Sequence, residues 1–88
     1  MKIFDNNFDD VLNDADKKYQ SKKKEYGETW KDLHIDGLKL KFLSEFTEWK
    51  KAKQDSKEEY GEIIDMINVL LMVATRLKPT VANSQAKK

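Results

Sequence analysis

The stretch from Lys57 to Leu77, KEEYGEIIDMINVLLMVATRL, constrains the fold more than any other part of the chain. Ile63, Ile64, Met66, Ile67, Val69, Leu70, Leu71, Met72 and Val73 crowd its middle, and no Lys or Arg stands between Lys57 and Arg76. As a helix, this segment is apolar around more than half its girth and cannot be open to water on all sides. Ser56 and Glu59 have the S-x-x-E spacing of a capping box, which predicts the helix start. Pro79 predicts its end near Leu77, because proline lacks the amide hydrogen that helix continuation uses.

Two further helices are predicted upstream. Phe8, Val11, Leu12, Ala15 and Tyr19 recur at three- and four-residue spacings, which predicts a helix from about Phe8 to Tyr26. Asn6 or Asn7 can cap it, Asp9 and Asp10 suit its first turn, and Lys22, Lys23 and Lys24 suit its last. Gly27 is its expected stop. The connector YGETWKDLHIDG follows, with room for a short helical turn and with Asp36-Gly37 read as a turn. A second helix is expected over Leu38 to about Lys53, with Leu38, Phe42, Phe46 and Trp49 as its stripe. The short QDS link then makes the second and third helices an antiparallel hairpin.

These elements predict an all-α fold: a three-helix antiparallel bundle in one domain, residues 1–78, with 79–88 as a flexible tail. At 88 residues the chain buries only about 60–65% of its unfolded surface. Three helices leave the third partly bare, so contacts with further copies, in a homodimer or homotetramer, are expected to complete the bundle. No cysteine is present, which removes disulfides and thiolate metal sites. No apolar run approaches the ~20 residues needed to cross a bilayer, and the acidic opening MKIFDNNFDD is no signal peptide. A cytoplasmic location and no membrane partner are the expectations. A net charge of +1 gives no general attraction to nucleic acid, and none is expected as a partner. A nucleic-acid binder using the lysine run is the weakest reading; its binding would fall steeply with salt.

Glu45 is the residue that packing alone does not explain. It points between Leu38, Phe42, Trp49 and Ala52, inside its own apolar stripe. Glu45 and Glu48 are three apart, as are Glu62, Asp65 and Asn68 on the third helix. An antiparallel hairpin brings E-x-x-E against E-x-x-D, so four carboxylates converge. Left alone they repel, and burial raises their pKa values. A hard divalent cation relieves both, and Mg²⁺, with Mn²⁺ as the alternative, takes such oxygen ligands. The bland account is that acid pairs at this spacing are frequent on any charged, solvated helix. Two pairs on adjacent helices, one acid inside a stripe and no lysine nearby bring the metal reading level with the bland one.

E-x-x-E, thirteen intervening residues, then E-x-x-D with a trailing Asn, resembles the all-α nucleotide pyrophosphohydrolases, the MazG-like group. SEFTEWKKA and GEIIDMINVLLMVATRL match its two motif helices. KKKEYGETWKDL is similar to the K-x-x-x-Y-G-x-x-W stretch of short members, often viral or phage-borne. The resemblance covers residues 17 to 77. It implies a helical bundle completed by oligomer contacts and Mg²⁺-dependent hydrolysis of a nucleoside triphosphate to monophosphate and pyrophosphate. On this chain it implies Glu45, Glu48, Glu62 and Asp65 as metal ligands and catalytic residues, and Asn68 as a contact to a phosphate or sugar oxygen. The chain departs from the pattern in lacking a basic residue early in the E-x-x-D helix; the nearest is Arg76. Lys22, Lys23, Lys24 or Lys31 are substitutes, from this or another subunit. A helical interaction module that has lost turnover is the alternative function.

Tyr26 and Trp30 flank Gly27 closely enough to form a base-stacking wall. Their plainer role is to plug the end of a small core. Trp49 reads as core or interface, and His34 as a surface histidine without catalytic work. The five lysines from Lys17 to Lys24 read first as a solvated helix end and second as a phosphate funnel. The candidate substrate-binding set is therefore Asn68, Tyr26, Trp30, Lys24 and Lys31.

Overall fold

A computed structural model describes the backbone of residues 6–86 and the side chains of residues 8–81. The expected capping side chains of Asn6 and Asn7, the N-terminal residues 1–5 and residues 87–88 lie outside the described set. Among the described residues the protein is all-helical: α1 spans Asn6–Tyr26, a 3-10 turn spans Thr29–Lys31, α2 spans Ile35–Lys51 and α3 spans Lys57–Ala86.

Gly27 ends α1 as expected. Its φ of 75° is left-handed, and its N–H returns to the Lys23 carbonyl at 2.8 Å. Asp36-Gly37 is not a separate turn. It forms the first turn of α2, because His34 caps that helix: Nδ1 accepts a hydrogen bond from the Asp36 N–H at 3.1 Å. Ser56 caps α3 by accepting from the Glu59 N–H at 3.1 Å. The return half of the box is shifted by one residue. The Glu59 carboxylate accepts from the Asp55 N–H at 2.8 Å and from the Trp49 indole at 2.7 Å, so one side chain joins the link and both helices.

The C-terminus of α3 differs from expectation. The helix passes through Pro79 and continues to Ala86. Proline removes one intrahelical hydrogen bond at that point, and the flanking ladder carries the helix across it.

Pairs of contacting residues give the topology. Trp49 meets Glu59 near the link, and Glu45 meets Glu62 further along, so α2 and α3 run antiparallel. α1 packs on the other side of α3: Tyr60 donates to Asp14 at 2.6 Å, Lys18 donates to the Gly61 carbonyl at 3.1 Å, and Asn68 donates to the Ala15 carbonyl at 3.0 Å. α1 and α2 make little direct contact, so α3 is the centre and a cleft opens between the outer two. Arg76 closes one end by donating to the carbonyls of Trp30 and Leu33 at 3.0 and 2.6 Å.

The core is thin. Among the described residues, Ala15, Leu38, Ile64, Met66 and Val69 are buried and apolar. Burying a side chain such as Leu38 contributes about 1.5–3 kcal/mol and the Ala15 methyl less, so this core is marginal. Leu40, Leu43, Leu70, Leu77 and Val81 stay roughly half exposed. Leu40 and Leu43 are three apart, and Leu70, Leu77 and Val81 recur at helical spacing, so each set forms a stripe on its helix. No helix among the described residues is long and apolar enough to cross a membrane.

Candidate carboxylate site and cleft

Glu45 does sit inside its stripe. Leu38 is buried, Phe42, Trp49 and Ala52 are half-buried, and Glu45 is half-buried with them. The antiparallel hairpin brings it to the acids of α3. One carboxylate oxygen from each of Glu45, Glu62 and Asp65 falls within 4.8 Å of the others. Oxygens sharing one Mg²⁺ at 2.0–2.1 Å lie about 3–4 Å apart, so small side-chain rotations close the gap. The all-oxygen, half-buried donor set suits a hard cation.

Glu48 does not join them. It is exposed on α2 and outside the group, so three carboxylates converge among the described residues and not four.

Nor are the acids without basic partners. The expectation considered only lysines on the acids' own helices, whereas α1 supplies two across the interface. Lys18 and Lys22 both pair with Asp65 Oδ1, at 2.9 and 3.0 Å. Glu62 bears the electrostatic load. Burial raises its pKa first, then the charges of Asp65 and Glu45 and a hydrogen bond with Glu45, while Lys18 pulls it down.

The cluster edges a cleft of about 500 Å³ between α1 and α2. Tyr19, Tyr26, Trp30 and Leu33 form an aromatic and apolar wall, with Val69 and Met72 beneath. Lys22, Lys23 and Lys41 are its cations, and Glu45 and Asp65 its acids. The wall is braced from behind. Trp30 donates its indole N–H to the Tyr19 hydroxyl at 3.1 Å, and Tyr19 donates to Glu28 at 2.7 Å. The Tyr19 and Trp30 rings meet edge to face at 6.5 Å. Burial, then the Glu28 hydrogen bond, raises the Tyr19 pKa. The Tyr19 and Lys31 hydrogen bonds lower that of Glu28.

The proposed substrate contacts divide. Tyr26 and Trp30 line the cleft together. Asn68 lines it too, but it is buried and an amide hydrogen is committed to α1. Lys24 is exposed and outside the lining. Lys31 pairs with Glu28 at 3.2 Å and lines a second cleft of about 390 Å³ behind the Tyr19–Trp30 pair. Trp49 lies at the hairpin link, away from the cleft, and His34 is an exposed cap. Sequence reading did not select Lys18 and Lys41, and it left Lys22 one of several interchangeable lysines. The four-residue step from Lys18 to Lys22 was the available signal, but within a run of five lysines it is indistinct.

No protein-family model, curated protein or solved structure matches the chain.

Proposed function

We propose that this protein is a small nucleotide pyrophosphohydrolase of the all-α MazG-like kind. It would hydrolyse a nucleoside triphosphate to the monophosphate and pyrophosphate with Mg²⁺, as a homo-oligomer. The carrying observation is one of placement: Glu45, Glu62 and Asp65 meet at the edge of a cleft that has an aromatic wall and lysines around it. A base needs a flat apolar surface, and a polyphosphate needs cations a few ångströms further on. The cleft offers both, with Tyr26 and Trp30 at one end and Lys22 and Lys41 nearer the acids.

Glu45, Glu62 and Asp65 would hold the Mg²⁺, which when bound supplies charge neutralisation at the phosphates and a more acidic water. One of the three would also orient or deprotonate the attacking water. Lys22, Lys23 and Lys41 would orient the phosphate chain. The half-exposed leucines of α2 and α3 support self-association. The test is pyrophosphate release from a panel of NTPs and dNTPs with Mg²⁺. Equal rates for wild type and Glu62→Gln would remove the catalytic assignment.

The alternative, an interaction module without turnover, draws on one observation. Asp65 already has two ammonium partners, and Glu48 stands apart, so the cluster is poorer in free carboxylates than the motif spacing implies. A Mg²⁺ titration separates the two: a rise in Tm supports the enzyme, and a flat response the module. Occupancy at one hundred times Kd adds about 2.7 kcal/mol.

A further inference from the structure

The geometry points to Lys22 as an exchangeable counterion: it rests on Asp65 while the carboxylate site is empty and moves to a ligand phosphate when a divalent cation takes its place. The inference rests on the proposed metal-dependent reading of the same site.

Lys18 and Lys22 hold the same oxygen, Oδ1 of Asp65, yet their situations differ. Lys18 has a second anchor, the Gly61 carbonyl at 3.1 Å, and it does not line the cleft. Lys22 has Asp65 as its sole ion-pair partner among the described residues. Its side chain is 48% exposed, against 13% for Asp65, and it lines the cleft with Tyr26 and Lys41. An ammonium with one partner and a solvent-facing stem swings at little cost, whereas one tied to a carbonyl and a carboxylate does not.

Charge supplies the direction. A divalent cation brings two positive charges to Asp65, the carboxylate that Lys18 and Lys22 already hold. Lys22 then loses its attraction to Asp65 and gains one to any polyphosphate in the cleft. The lysine thus competes with the metal when the cleft is empty and cooperates with it when an anion is present.

The two effects have opposite signs, which makes the test specific. Calorimetric titrations would use the full chain with MgCl₂ alone, then inorganic pyrophosphate at saturating Mg²⁺. Lys22→Met is expected to tighten Mg²⁺ binding several-fold and to weaken pyrophosphate binding about tenfold, the loss of one charge-assisted contact. Lys22→Arg keeps the charge and should restore pyrophosphate binding. In wild type, the Lys22 Nζ resonance should shift on adding Mg²⁺ while that of Lys18 stays, which needs no substitution. Wild type that binds no Mg²⁺ overturns the metal reading and this inference with it. Wild type that binds Mg²⁺, with Lys22→Met weakening both ligands or changing neither, overturns the exchange alone.

Discussion

Glu62 and Glu59 stand one turn apart on α3, and their environments push their pKa values in opposite directions. Glu62 is raised from the ordinary 4.5 by burial and two acidic neighbours. Its protonated form is favoured in the fold, so its contribution to stability is full below about 4.5 and is lost as pH rises through the raised value. Glu62→Gln should therefore raise the Tm of the metal-free protein at pH 8, with the gap closing toward pH 4, and should abolish any Mg²⁺ response. A lower Tm for the glutamine variant at pH 8 would contradict the charge-repulsion account. Glu59 is lowered from 4.5 by the Asp55 N–H, then by the Trp49 indole. Its contribution is present above 4.5 and is lost as pH falls through the depressed value. Asn68 makes a different kind of prediction. Its hydrogen bond to Ala15 is buried, so Asn68→Ala should cost about 1–3 kcal/mol in denaturant unfolding, whatever its role toward a ligand. The acids of the site were legible in the sequence because i, i+3 spacing is local. Their lysine partners were not, because residues 43 and 47 positions away are brought close only by packing.

At the scale of elements, caps decided the boundaries. Ser56 was readable as a cap, and Ser56→Ala should lower stability by about 1 kcal/mol, a Tm decrease of roughly 4–8 °C for a domain of this size. His34 was not readable, since histidine is no favoured cap, and its Nδ1 contact moved the start of α2 three residues upstream of Leu38. Pro79 was read as a terminator but lies within α3. A proline there weakens the helix locally, so Pro79→Ala should slow amide exchange over residues 80–86 without shifting protection near Ile64. Unchanged exchange after the substitution would mean the last turns do not depend on that position.

For the molecule as a whole, the bare stripes matter most. Three helices with α3 at the centre cover its α1 and α2 sides and leave Leu70, Leu77 and Val81 exposed, as Leu40 and Leu43 are on α2. Sedimentation at micromolar concentration should show a dimer or larger species, and Leu43→Glu with Leu70→Glu should yield monomers. A wild-type monomer would contradict the proposed assembly. The helical content and the antiparallel hairpin were legible, because hydrophobic period and link length are local quantities. The open arrangement was not: periodicity gives the width of an apolar face but not which neighbour covers it.

Three helices, the capped start of α3 and the meeting of Glu45 with the acids of α3 follow from local pattern, since a short link and a 3.6-residue period leave little freedom. That Glu48 stays outside the carboxylate group, that Lys18 and Lys22 reach Asp65 from α1, and that Tyr19, Tyr26 and Trp30 wall a cleft beside them are matters of packing. Those outcomes depend on how α1 crosses α3. That crossing is set by side-chain packing between segments far apart in the chain, and no local pattern encodes it.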